Sequence, residues 1–192
     1  GFITDEHQLS VKEKRAGEAY YRADSKWMVY QAEVADDNPF YQIFLKNVES
    51  GAVTQVSPGT GKTTCAWVHP SQEKVLFSST HEDKEAKAKM AAEIERRKAG
   101  EQKSYAWDYD EYYDIYETDF SGGNIRNLTK TLGYDAEASW SPDGKLIAFA
   151  SNRKAYTEEL SDEEAALFKA NPSALIDIYI MDANGSNVKR LT

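Results

Sequence analysis

A repeat constrains this chain more than any single motif does. Residues 114–129, DIYETDFSGGNIRNLT, align without a gap on residues 177–192, DIYIMDANGSNVKRLT, and agree at 8 of 16 positions. Residues 41–57, YQIFLKNVESGAVTQVS, form a looser third copy, with Gly51 in the turn and Val56-Ser57 where the others carry Leu-Thr. Each copy alternates apolar and polar residues, breaks at Gly, Asn or Ser, and then resumes briefly. That is the pattern of two short strands joined by a turn. Recurrence at a fixed spacing means that one structural unit is repeated and that its copies bury their faces on one another.

A second repeated motif precedes each copy. Residues 137–151, EASWSPDGKLIAFAS, align without a gap on residues 18–32, EAYYRADSKWMVYQA. Residues 66–79, AWVHPSQEKVLFSS, are the middle version, with one extra residue in the turn. Asp143-Gly144 is a tight-turn signal, and Asp24-Ser25 holds the same place. The chain thus divides into an N-terminal extension over 1–16 and three units, about 17–57, 63–129 and 133–192. Each unit has two strands, a variable insertion and two more strands. Four short antiparallel strands per unit, with aromatic and glycine markers, predict an all-β fold of β-propeller blades.

The markers also carry a resemblance. Ser139-Trp140-Ser141-Pro142-Asp143-Gly144-Lys145 with Ile147-Ala148-Phe149, then Asp177-Ile178-Tyr179 and Arg190-Leu191-Thr192, resemble the TolB-like (WD-like) β-propeller repeat. The resemblance covers about residues 17–192. It is strongest in the third unit and weakest in the first, where Arg22-Ala23-Asp24-Ser25 replaces the SPDG turn. Propellers have four blades or more, so three blades form an incomplete ring. The expectation is that remaining blades or another chain close it.

Composition removes several partners. Lys and Arg total 23 against 32 Asp and Glu, a net charge of −9. Phosphate backbones repel such a chain, so no nucleic-acid partner is expected. At 41% hydrophobic and 12% aromatic residues it is too apolar to be disordered. One cysteine, Cys65, excludes an internal disulfide, and His7, His69 and His81 are few for a histidine-rich metal centre. No apolar run is long enough to span a membrane. Residue 1 is Gly, which is compatible with a removed export signal.

Two insertions read as helices. Residues 83–99, rich in Ala, Glu, Lys and Arg and followed by Gly100, predict a helix over about 84–99. Its alternating charges read as a solvated face, with Met90 and Ile94 as a narrow apolar stripe. In the second insertion, residues 155–171, Ser161-Asp162-Glu163-Glu164 reads as a capping box, predicting a helix over 161–170 that ends at Asn171-Pro172. Both insertions connect the second and third strands of a blade, so both should decorate the same face of the disc.

Three local motifs resemble active chemistry. Ser57-Pro58-Gly59-Thr60-Gly61-Lys62-Thr63-Thr64 imitates a phosphate loop, but Val56 stands where its first glycine belongs. The following TTCAWVHP reads as a strand and not as the helix a phosphate needs, so no ATP binding is expected. Trp107-Asp108-Tyr109-Asp110-Glu111-Tyr112-Tyr113-Asp114 gathers carboxylates that could attract calcium, without the EF-hand spacing. Cys65, in a predicted inner strand, reads as a small core residue.

The repeat then places candidate binding residues. Glu18, Thr63, Tyr134, Asp135 and Glu137 begin inner strands and should ring the mouth of the channel. His81, Glu82, Asp83, Asn152 and Arg153 leave second strands on the same face. The expected rim is negative and suited to a basic peptide or a divalent cation such as calcium. No catalytic or cofactor-binding residue stands out, and no G-x-S-x-G nucleophile elbow occurs. The resemblance implies a non-catalytic binding or scaffolding module of the cell envelope, periplasmic or extracellular. Its protein or peptide partner would sit on one face or in the channel. One alternative is a propeller gating a prolyl-oligopeptidase-type serine peptidase whose catalytic domain lies outside this chain. The other is a metal-dependent propeller lyase, against which the three scattered histidines argue.

Overall fold

The computed structural model describes residues 6, 8–9, 12–101 and 108–192. Among them lie three four-stranded antiparallel sheets, each with its strands in sequence order. Blade 1 holds β1 (Arg15–Tyr21), β2 (Trp27–Glu33), β3 (Gln42–Asn47) and β4 (Val53–Gln55). Blade 2 holds β5 (Thr63–Val68), β6 (Lys74–Ser79), β7 (Asp114–Asp119) and β8 (Arg126–Asn127). Blade 3 holds β9 (Asp135–Trp140), β10 (Leu146–Ser151), β11 (Asp177–Asp182) and β12 (Lys189–Arg190). The repeat thus folds as an incomplete propeller, as expected from the sequence.

Alternation along the middle strands gives each blade two apolar faces, and stacking buries them in layers. Val29, Ile43, Leu45 and Val56 of blade 1 pack on Val68, Val75, Phe77 and Tyr116 of blade 2. Leu76, Ile115 and Leu128, on the opposite face of blade 2, pack on Trp140, Ile147, Phe149 and Tyr179 of blade 3. Each blade carries one stacked aromatic pair across its second and third strands: Tyr30–Phe44, Phe77–Tyr116 and Phe149–Tyr179, with ring centroids 5.6–5.7 Å apart. Burying each ring contributes about 1.5–3 kcal/mol, and each pair adds about 0.5–1.5 kcal/mol.

The turn signals also lock blades together. In the SPDG turn, Asp143 Oδ1 accepts hydrogen bonds from Ser141 Oγ and Lys145 N, and Gly144 sits at φ +70°. A Cβ on Gly144 would lie 2.5 Å from His69 Cε1 and Nε2. His69 is buried, accepts at Nδ1 from the amides of Ser71 and Gln72, and meets Trp140 edge-on at 4.7 Å. The glycine is therefore required twice, by its left-handed backbone and by the ring pressed against it.

The insertions form α1 (Ala86–Lys98), α2 (Lys154–Thr157) and α3 (Asp162–Ala170). Ser161 and Glu164 close the reciprocal capping box of α3. Arg96, Arg97 and Lys98 fall in the last turn of α1, where the helix dipole favours cations. The single turn α2 and the 3-10 turn Pro172–Leu175 had no sequence signal, since neither is long enough to show an apolar period. Among the described residues, no helix is long and apolar enough to cross a membrane.

Candidate functional site

The inner strands β1, β5 and β9 each break register once, the first between Gly17 and Ala19 and the second between Thr64 and Trp67. The third break falls in β9 between the partners of Ala148 and Ala150. At each break one non-glycine residue adopts a left-handed backbone: Glu18 at φ +45°, Cys65 at +50° and Glu137 at +59°. These are β-bulges at a single repeat position, and a bulge re-aims its side chain. All three are turned toward the propeller axis, where they meet. Cys65 Sγ donates to Glu137 Oε2 at 3.0 Å and lies 3.4 Å from Glu18 Oε2. Burial pushes the thiol well above its usual range and the Glu137 charge adds to this, so it stays a protonated donor. Cys65 is therefore a bridge between two carboxylates and not a plain core residue.

Glu18 and Glu137 line a cleft of about 920 Å³. Arg15, Gln31, Phe40 and Tyr41 of blade 1 form one wall, and Tyr109, Tyr113 and Tyr134 form another. Helix α1 roofs it with Lys89, Glu93, Arg96 and Arg97. The charged stripe expected to be solvated thus faces the cleft. It also ties the helix down: Arg97 pairs with Glu33 at 2.8 Å, and Lys89 pairs with Asp83 at 2.8 Å and Asp110 at 2.9 Å. Met90 Sδ accepts from the Gly61 amide at 3.2 Å.

The apparent phosphate loop is the link between blades 1 and 2. Asn38 and Gln42 side chains donate to the carbonyl of Gly61, and Asn38 also to that of Gly59. Gly61 at φ +71° passes so close to blade 2 that a Cβ would lie 2.9 Å from Thr80 Oγ1. Strand β5 starts at Thr63, directly after Lys62, so no helix N-terminus faces that lysine. Its ammonium is held by Asp108 at 2.9 Å and Asp110 at 3.3 Å. The same pairing occupies the acidic run that looked suited to calcium. Trp107 of that run, like His7, lies outside the described residues.

The candidate residues separate into three places. Glu18, Thr63, Tyr134 and Glu137 line the cleft. Thr63 Oγ1 donates to the Tyr41 carbonyl at 2.7 Å, and Tyr134 OH to Glu137 Oε1 at 3.2 Å. Glu82 and Asp83 line a smaller cavity of about 290 Å³ with Glu111 and Asp114. His81 lies beside them, tilted on the Tyr116 ring at 4.2 Å, with burial lowering its pKa.

Asp135, Asn152 and Arg153 are in neither cavity lining. Asp135 is fully buried and holds Arg153 Nη2 at 2.6 Å, while Ser151 Oγ donates to its other oxygen. Burial pushes its carboxyl up to about 6, against the pull of Arg153. Asn152 accepts from the Tyr134 amide and donates to Tyr109 OH and the Pro172 carbonyl. Asp135, expected at the rim, is buried instead for a reason in its own strand. Asp135 stays in the ladder opposite Ser151, and the bulge at Glu137 ends the alternation that would have kept both carboxylates on one side.

The cleft is consequently mixed in charge, not uniformly acidic. Its lining has five cationic side chains and six carboxylates. Most are matched. Glu93 lies between Arg96 and Arg97, and the Arg96 hydrogen bonds hold its carboxyl down to about 2. Asp108 and Asp110 pair with the lysines above. Glu18 and Glu137 make no ion pair among the described residues. Also among the described residues, no three His, Cys, Asp or Glu side chains are grouped so as to hold a metal ion. The basic lining escaped the sequence reading, although Arg15 and Lys62 occupy the repeat position of Tyr134, three residues before each bulge.

Blades in sequence order, inner-strand bulges and linking glycines define the fold. The fold is that of a β-propeller, as in TolB proteins. The chain is similar to a putative TolB from Agrobacterium tumefaciens, with a TM-score of 0.62 and 16% identity, covering 95% of this chain and 50% of that one. It is similar to TolB from Acinetobacter baumannii, with a TM-score of 0.57 and 20% identity, covering 94% and 33%. The β-propeller domain of the Trilobed protease from Pyrococcus furiosus, described as having an open velcro topology, gives a TM-score of 0.51 and 12% identity, covering 94% and 43%. The chain thus spans half or less of each. No family model and no curated protein matches it by sequence.

Proposed function

We propose that this propeller portion is a non-catalytic binding module of the cell envelope that holds a polypeptide in the cleft beneath α1. A cationic side chain of the partner descends to Glu18 and Glu137. The observation that carries the reading is their position. They converge on the buried Cys65 and make no ion pair among the described residues, while Glu93, Asp108 and Asp110 beside them are neutralised. Tyr41, Tyr109 and Tyr134 supply flat amphipathic walls for the rest of a bound segment. The likeness to TolB proteins supports the envelope setting, with a periplasmic location. Gating a serine peptidase outside this chain would use the same cleft. The lyase reading loses support, because His69 and His81 are both held in ring packing.

A hydrogen bond to a charged group contributes about 1.5–3 kcal/mol, which is about tenfold or more in affinity. Fluorescence anisotropy with a labelled Arg- and Tyr-containing decapeptide, and with an acidic counterpart, tests the reading. The basic probe should bind more tightly, and Glu18→Gln with Glu137→Gln should weaken it at least about tenfold. Equal binding of both probes, or an unchanged double variant, overturns it. Calcium added alone reports whether the same carboxylates prefer a divalent cation.

A further inference from the structure

We propose, building on the polypeptide-binding role above, that the cleft selects arginine over lysine, and that Tyr156 of the blade 3 insertion is the positioning residue that sets this preference through the ring of Tyr109.

A chain of hydrogen bonds clamps the Tyr109 hydroxyl. Asn152 Oδ1 accepts from the Tyr134 amide at 2.7 Å, which fixes the orientation of that side-chain amide. Asn152 Nδ2 then donates to Tyr109 OH at 2.7 Å. Tyr109 OH and Tyr156 OH are 2.9 Å apart, and Tyr156 OH donates to Glu111 Oε2 at 2.9 Å. A phenol has a single proton, so the one shared by the two tyrosines is supplied by Tyr109. Burial, then the bonds to Tyr109 and Glu111, raises the Tyr156 pKa well above its usual range, so Tyr156 stays a phenol. Tyr156 is outside the cleft lining, whereas Tyr109 and Glu111 belong to it. It is carried by α2, whose Lys154 pairs with Glu164 of α3, and its ring meets Phe168 of α3 edge-on at 5.5 Å. The insertion therefore holds one end of a ring that walls the cleft.

The neighbours of that ring give it a task. Tyr109 stacks on Tyr134 with centroids 5.9 Å apart, and Tyr134 OH donates to Glu137 Oε1. Glu137 Oε2 accepts from Cys65, whose thiol also reaches Glu18. The phenol and thiol protons are thus spent on carboxylates, and what Glu18 and Glu137 offer a ligand is acceptors. A ring face with a carboxylate is how this chain holds guanidinium groups of its own. Arg15 lies over Tyr41 at 4.6 Å and pairs with Glu33, and Arg153 lies over Phe149 at 5.0 Å and pairs with Asp135. Lys62 over Phe40 and Lys89 over Tyr112, at 5.5 and 5.0 Å, use the same pairing, so a ring and one carboxylate do not choose between the two cations. The second carboxylate makes the difference. A guanidinium is planar with donors around its edge, so it can bond Glu137 and Glu18 while its face rests on Tyr109. An ammonium is compact and strongly hydrated, and gains less from a ring held beside it.

Fluorescence anisotropy on the 192-residue chain tests this with three labelled decapeptides, identical except for a central Arg, Lys or citrulline. The Arg probe should bind at least about fivefold tighter than the Lys probe and about tenfold or more tighter than the neutral citrulline probe. Tyr156→Phe keeps a ring against Phe168 and loses the relay. It should cut the Arg-to-Lys ratio at least about threefold while Lys affinity changes less than about twofold. Tyr109→Phe removes the same relay from its other end, so the two substitutions together should cost no more than either alone. Circular dichroism verifies folding, and should one variant fail to fold, the ratio in the other still decides. Equal binding of the Arg and Lys probes overturns the proposal, and overturns it alone if both still exceed an acidic decapeptide. If neither exceeds it, the polypeptide-binding role falls first and the preference with it. A wild-type ratio in Tyr156→Phe, an equal loss for both probes, or additive costs of the two substitutions overturns the positioning role.

Discussion

Replacing Gly144 by Ala tests how blades are locked to one another. The substitution carries two separable costs. A left-handed backbone at φ +70° costs a residue with a Cβ about 1–2 kcal/mol. The new methyl would also fall 2.5 Å from two atoms of the His69 ring, so the ring must move. Moving it forfeits the edge contact with Trp140 and the two amide hydrogen bonds at Nδ1. Together these bring the expected loss to about 3–6 kcal/mol. For a chain of this size that is about 6–24 °C in melting temperature.

Gly51→Ala is the control. Gly51 has φ +74° but nothing within 4 Å of its added Cβ, so it should lose only the backbone share of about 1–2 kcal/mol. In a His69→Ala background, Gly144→Ala should fall to that same share. Urea unfolding followed by circular dichroism and tryptophan fluorescence measures the wild type and all four variants. Equal costs for Gly144→Ala and Gly51→Ala would refute the idea that His69 holds the turn.

Two further outcomes follow from buried titrating groups. Burial lowers the His69 pKa, so the neutral ring stabilises the fold fully above its ordinary value of 6.5. That stability is lost as pH falls through the lowered folded value. The stability gap between wild type and His69→Gln should therefore narrow between about pH 7.5 and about pH 5.5. A gap that widens on acidification contradicts the assignment. Asp135, whose raised pKa acts in the opposite sense, cancels in this comparison. The Cys65 thiol, raised by burial and by Glu137, should react with a disulfide reagent at about pH 8 more than about tenfold slower than a free thiol. The Glu18→Gln, Glu137→Gln double variant should react faster, and a wild-type rate equal to that of glutathione would refute the buried, carboxylate-bonded thiol.

What could be read from the sequence was what is local or repeated. Ser161 and Glu164 lie three apart and reveal their helix start without any tertiary information. Asp143-Gly144 marks its turn, and the gapless copies place the strands. Side-chain direction at the inner strands was not legible. One extra residue in a strand reverses the alternation beyond it, and nothing in the composition of Glu18, Cys65 or Glu137 announces a left-handed backbone. Simple alternation therefore puts Asp135 on the rim, whereas it lies buried against Arg153. The role of α1 was hidden for another reason. Arg97 finds Glu33 across 64 residues, and alternating charge looks the same whether it meets water or a neighbouring blade.

The departures from the repeat are more informative about function than its agreements. One backbone position, three residues before the bulge, carries Arg15, Lys62 and Tyr134 in successive blades. The bulge itself carries Glu18, Cys65 and Glu137. Residues that hold the fold vary little across the copies, as the three aromatic pairs illustrate. Residues that face the cleft differ in charge and size at the same backbone geometry. A propeller built this way keeps one rigid frame and varies chemistry only at its mouth, where rigid strands can hold it. The thiol between two carboxylates belongs to that variation. A glutamate at position 65 would place a third carboxylate on the axis beside the first two. The neutral cysteine donor reduces that repulsion and leaves two charges directed into one cleft.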